Sequence, residues 1–206
     1  GLEYGEQAAG TAGLIAYMLV IGGSFGILLR TGVIDQSILR ILHRTEGVVM
    51  LFPPLLFVLF SLAGAVFGFS EGAIPLAMLI IPLLIGMDFD AVTGVLVTFV
   101  ATQIGIAASW CSPEALTTAQ TIAGVPVFSG SSFRFILWLI LTLLGAAYTT
   151  RYAWRIHTST HRSVSYQSDA RCRGRLQNLR ERREPLTLGG RLVLLTVALS
   201  LGWMLW

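Results

Sequence analysis

Along the chain, uncharged apolar runs alternate with short polar or basic breaks, and the length of each run decides what it can be. Ala8 to Leu29 holds twenty-two residues without a charge, enough to cross roughly 30 Å of hydrocarbon. Its glycines at 10, 13, 22, 23 and 26 suit close helix packing in lipid. Val33 to Arg44 is too short and too charged to span. Its apolar positions recur at helical spacing opposite Asp35, Gln36, Arg40 and Arg44, which predicts an amphipathic interfacial helix.

Two short apolar arms follow. The run from Gly47 to Phe69 carries Pro53 and Pro54, which suit a first helical turn and not an interior. A helix starting at Pro53 is therefore about 25 Å long, and the next arm, Gly72 to Met87 with Pro75 and Pro82, is about 24 Å. Two consecutive short, Gly/Pro-interrupted arms are the pattern of a re-entrant hairpin, here over 47–87. Two short spans joined by a tight turn are the alternative, and both give the same topological parity.

After the polar turn Met87–Asp90, Ala91 to Ser109 forms an uncharged helix. Gly94, Thr98, Thr102 and Gly105 make a packing stripe along it. It breaks at Ser109-Trp-Cys-Ser-Pro113, so 91–124 reads as a broken helix. The span 133–150 follows, with Tyr148, Tyr152 and Trp154 as interfacial anchors. Residues 151–190 are Arg-rich and aperiodic and read as a largely flexible basic linker, and 191–206 opens a further transmembrane helix.

Composition agrees with this pattern. The chain is 54% hydrophobic and 12% charged, outside the range of soluble domains. The expectation is an all-α polytopic membrane protein, with residues 1–150 as the transport unit. All fourteen basic residues are Arg, nine of them between Arg151 and Arg183, so the net charge of +3 is a loop feature and not a nucleic-acid surface. The positive-inside rule puts the 151–190 linker in the cytoplasm and the protein, multi-pass, in the inner membrane. The acidic N-terminal flank is the reverse of a signal peptide's basic n-region, and the run cut at Trp206 suggests a fragment.

The chemistry centres on the break between the two arms. Glu71 is the only ionisable residue between Glu46 and Asp88. A carboxylate isolated in apolar sequence faces a cavity, an ion or a substrate when it lies at mid-membrane. At the water interface it caps the following helix. Ser70 and Gly72 flank it. Ser109, Ser112 and Pro113 form a second break, where freed carbonyls or amides can hold Na⁺ or an anion, or where the helix simply ends. Gln103 either joins that site or makes a buried interhelical hydrogen bond, and Thr98 and Thr102 bond their own helix. Zinc, serine-hydrolase, Walker and Rossmann motifs are absent, so no enzyme or primary pump is encoded in this stretch and no metal site or cofactor is expected.

Three blocks, FGFSEGAIP with the later D-x-D-A-x-T-G, TQIGIAASWCSPEALTTAQTIAGVPVFSG and RFILWLILTLLGAAYTTRYAWR, resemble the C4-dicarboxylate anaerobic carrier family, in particular its YfcC-like members. The resemblance implies inverted repeats, each with a re-entrant hairpin and an unwound helix, forming an elevator-type carrier for basic amino acids or dicarboxylates. It places Ser70, Glu71 and Gly72 at the hairpin tip and Ser109, Ser112 and Pro113 in the unwound helix. The chain departs from the family pattern at Gly72, where a second acid is common, and at Ser112, where Asn often precedes the proline.

Family members are about twice as long, so this chain is expected to be one half, lacking the second repeat. The function expected is secondary active transport of a small charged metabolite. An antiport or ion-coupled mechanism with Na⁺ or H⁺ fits, and the partners are the bilayer, the second repeat and a homodimer mate. Glu71 tilts the substrate toward a basic amino acid. A C4-dicarboxylate carrier and a non-transporting structural or truncated subunit are the alternatives.

Overall fold

A computed structural model describes residues 49–68, 73–112 and 115–182, with isolated helical positions between 12 and 26. The first span at 8–29, the interfacial helix at 33–44, the tip Ser70–Gly72, Pro113 and the run from 191 all lie wholly or mainly outside the described residues. Those residues are helical, with no strand among them. A 3₁₀ turn, Val49–Leu51, leads into α1, Phe52–Phe67. Then come α2, Ala73–Gly86, and α3, Ala91–Ala107. They are followed by α4, Ala115–Ile122, α5, Ser131–Thr158, and α6, Tyr166–Arg182.

Val49–Phe67 and Ser131–Thr158 are long and apolar enough to cross a membrane. Both keep large apolar side chains on the outside, including Leu55, Leu59 and Leu62 on α1 and Ile136, Ile140 and Leu144 on α5. In water such faces would be a liability, and in lipid they are solvated. Pro53 and Pro54 occupy the first turn of α1, where a missing N–H removes no helical bond.

The third helix organises the rest. α1 packs along the second half of α3 and against α5, while α2 packs on the first half of α3. The two arms of the expected hairpin thus lie chiefly against α3 and only marginally against each other. At the crossing of α1 and α3 the backbones touch. A Cβ on Gly64 would meet the Thr102 carbonyl, and one on Gly105 would meet the Ser61 carbonyl and stand 2.9 Å from the Ala65 nitrogen.

Gly94, in contrast, faces α2, where an added Cβ would lie 3.1 Å from Cα of Ile81. Eleven residues separate Gly94 from Gly105, three α-helical turns to within about 20°, so the expected stripe puts both on one side. The structure splits them because Leu96–Val100 is a π-helical turn. One extra residue in a turn rotates everything after it by about 100°. Thr98 and Thr102, both fully buried, donate to the carbonyls of Gly94 and Thr98 as expected, each at 2.7 Å.

α1 and α5 are joined by a buried polar clamp. Ser61 Oγ lies 2.8 Å from Thr142 Oγ1 and accepts from Trp138 Nε1 at 3.1 Å. Next to it, Phe57 fills the space opposite Gly145, where a Cβ would come within 2.8 Å of the ring's Cε1.

The segment read as a flexible linker is largely helical, which corrects that expectation for residues 151–182. α5 continues eight residues past Thr150 to Thr158, and after a 3₁₀ turn at Thr160–Arg162 the chain enters α6. Two buried carboxylates hold this elbow. Asp90 caps α3 by accepting from the Thr93 N–H and hydroxyl at 2.8 and 2.6 Å. Its other oxygen accepts from Tyr152 and Ser163 at 2.8 and 2.6 Å. Asp169 on α6 accepts from the Ala91 N–H at 3.0 Å and from Ser165 at 2.7 Å. Leu176 is buried in the same apolar core as Leu84 and Phe89. Polar anchors, which hydrophobic periodicity does not register, dock this basic helix.

Candidate functional site

The site is where α1 ends and α3 breaks. α1 terminates at Gly68 in the left-handed region, φ 66°, with its N–H on the Gly64 carbonyl. Glycine is required there twice over, by conformation and by space, because a Cβ would lie 2.9 Å from Ser112 Oγ. α3 ends at Ala107, and Ala108 leaves the helical region at φ −105°, ψ 22°.

Ser109 then bridges the two ends. Its hydroxyl donates to the Ala65 carbonyl at 2.7 Å, one of the last four of α1, which lack an intrahelical partner. It also accepts from the Ser112 N–H at 2.9 Å, closing the turn. Both serines are buried.

The break leaves two donors without acceptors. Ser112 Oγ and Trp110 Nε1 are buried and have no hydrogen-bond partner among the described residues. Burying an unsatisfied polar group costs about 1–3 kcal/mol, so each of the two calls for an explanation, and a bound group is one. The Trp110 ring is fixed edge-on to Phe135 on α5, with centroids 5.4 Å apart. An indole N–H can only donate, so the group it suits is an acceptor such as a carboxylate.

Of the residues singled out in the sequence, Ser109 and Ser112 come together with the end of α1. Ser70, Glu71, Gly72 and Pro113 are outside the described residues. Gln103 lies six residues before Ser109, about 9 Å along the helix. It is half-buried and makes no side-chain hydrogen bond to a described residue. The sequence reading missed Gly68 as the packing partner of Ser112, and the orphaned indole of Trp110. A glycine before a break was the only signal for the first. The second had none, because a tryptophan in an apolar segment ordinarily means packing or an interface.

These features define a class: an all-helical membrane protein in which a helix end and a helix break meet inside the packed structure. The comparisons carry that further. The chain belongs to the C4-dicarboxylate anaerobic carrier family, which it matches over residues 2–206. It is 45% identical over 206 residues to YfcC of Escherichia coli K12, a protein provisionally named a basic amino acid antiporter. That match covers 100% of this chain and 40% of the relative. It is 24% identical to an uncharacterised protein of Haemophilus influenzae, over 94% of this chain and 38% of that protein. No solved structure matches the chain significantly. The chain thus spans about two fifths of the curated relatives it matches.

Proposed function

We propose that this chain is one transport half of a secondary carrier in the inner membrane, moving a small charged metabolite. The observation that carries the reading is the junction of α1 and the α3 break, where Ser109 ties the two together and Ser112 keeps an unused hydroxyl. Broken helix ends buried in protein are where membrane carriers present free backbone and hydroxyl groups to ions and substrates. Ser70, Glu71, Gly72 and Pro113 continue the same chain ends and complete this half of the site. The rest is supplied by a second repeat.

A basic amino acid is the favoured substrate, because a carboxylate at Glu71 complements a cation and would repel a dianion. The relative named as a basic amino acid antiporter supports the same choice. Antiport, or coupling to Na⁺ or H⁺, drives the cycle. The 47–87 arms act as a re-entrant hairpin, with the Arg-rich end of the chain in the cytoplasm.

The test is substrate exchange in proteoliposomes, using the protein from the complete reading frame. Labelled arginine, lysine and succinate are presented against an internal pool of each. Exchange of arginine or lysine, abolished by Glu71→Gln, is the expected outcome. Succinate exchange alone moves the reading to the dicarboxylate alternative. No exchange of any of the three, by protein that is folded and inserted, overturns the carrier reading.

A further inference from the structure

A guanidinium keeps its proton at any working pH, so burying its N–H groups demands an acceptor. Arg173, on α6, has none among the described residues for two of its nitrogens. Nε and Nη2 are both closed off from solvent and make no hydrogen bond. These two lie on the same edge of the guanidinium with parallel N–H bonds, the geometry that grips two oxygens of one phosphate or carboxylate.

The edge is held in place. Arg173 Cζ stands 4.9 Å from the centroid of the Tyr166 ring, and the same ring packs on His161 with centroids 4.5 Å apart. Among the described residues, the acids of this elbow are already engaged. Asp90 accepts from Thr93, Tyr152 and Ser163, and Asp169, one turn before Arg173, accepts from Ala91 and Ser165. Asp88 is turned out to solvent.

The location says which anion is at hand. The Asp90–Asp169 elbow ties α6 to the C-terminal end of the membrane-length helix α5. There Tyr148 and Trp154 are 65% and 63% exposed, and Arg151 and Arg155 are exposed too. In a membrane protein this aromatic and arginine level is where a span meets the headgroups. Acidic lipids concentrate phosphate there, and the surrounding arginines favour it. Arg173 itself is half-buried at the rim of the α6 contact, so its closed edge meets a headgroup once the side chains around it move apart. We propose that the Nε/Nη2 edge of Arg173 receives the phosphate of an acidic phospholipid headgroup, which pins α6 to the bilayer surface.

The test uses the full chain in phosphatidylcholine nanodiscs titrated with phosphatidylglycerol, read as bound lipid by native mass spectrometry and as the shift in thermal midpoint. Wild type should bind phosphatidylglycerol and melt higher with it. Arg173→Lys keeps the charge but has no parallel donor pair, and should lower the affinity by about fivefold or more. Arg171→Lys, at an exposed position of the same helix, should change it less than about twofold. Tyr166→Leu, which removes the stack, should reproduce the Arg173→Lys loss with helix content unchanged. Equal effects at 171 and 173, or an Arg173→Lys protein that binds as wild type, mean diffuse charge attraction and overturn the proposal. So does inorganic phosphate in neutral nanodiscs if it gives the same Arg173-dependent shift, because the ligand is then a soluble anion.

Discussion

Gly105→Ala adds one methyl group where α3 touches α1 by backbone alone. The new Cβ would overlap the Ser61 carbonyl and stand 2.9 Å from both the Ser61 carbonyl carbon and the Ala65 nitrogen. Backbone cannot rotate out of the way as a side chain can, so the helices must separate. Overpacking of this kind costs about 1–3 kcal/mol, with the upper end expected for a backbone obstacle. Alanine returns up to about 1 kcal/mol of helix propensity, leaving a net loss of about 1–2 kcal/mol. Gly174→Ala is the control, since Gly174 is in α6 with nothing within 4 Å of the added atom. It should be neutral or gain up to about 1 kcal/mol. Unfolding in mixed micelles, followed by circular dichroism, compares the two. The separation also pulls Ala65 from Ser109, a 2.7 Å bond at the candidate site, so exchange activity should fall with stability. A Gly105→Ala protein as stable as the Gly174→Ala control would refute the close crossing and the site geometry built on it.

Three further outcomes follow from the same geometry. Ser112→Ala removes a buried hydroxyl that has no partner, so stability should hold or rise slightly while exchange activity falls by about tenfold or more; parallel loss of both would make Ser112 purely structural. Ser61→Ala leaves Trp138 Nε1 and Thr142 Oγ1 without their shared partner and should cost about 1–3 kcal/mol, and Ser61→Ala with Thr142→Val should cost less than the sum of the single changes in a double-mutant cycle. Asp90→Asn puts an NH₂ where a carboxylate oxygen now accepts from donors, so α6 should loosen from the 87–90 turn; trypsin should then cut at Arg171 and Arg175 several-fold faster than in wild type, and an unchanged digestion rate would show that the elbow holds without Asp90.

Much of this architecture was legible because membrane-length periodicity is a strong signal. Pro53 and Pro54 marked the start of α1, Ser109–Pro113 marked the break, and the span read over 133–150 lies in a helix long and apolar enough to cross a bilayer, whereas the arm read as short, Val49–Phe67, has that length too once its 3₁₀ turn is counted. What escaped were long-range polar pairings. Ser61 and Thr142 are eighty-one residues apart, and nothing local to either predicts that one hydroxyl completes the other. Asp90 read as a turn residue because its cap on Thr93 is local, whereas its bonds to Tyr152 and Ser163 span 62 and 73 residues. The 151–182 segment read as flexible for the same reason. Its helices are docked by Asp90 from elsewhere in the chain and by their own Asp169 on Ala91, as much as by a hydrophobic face.

The π turn at Leu96–Val100 shows why the site itself was only half legible. A regular helix would have turned Gly94 and Gly105 to the same neighbour and left one of the two arms without a glycine to pack on. The inserted residue lets a single helix present one glycine to α2 and the other to α1, so both arms are held by it, on different sides. α3 therefore joins two places far apart in sequence: its N-terminus is fixed by Asp90 and by Asp169 of α6, and its C-terminus opens into Ser109–Ser112 against Gly68. π turns are rare inside α-helices and are frequently found at functional sites, and this one lies between the anchored Asp90 end of α3 and its break at Ser109.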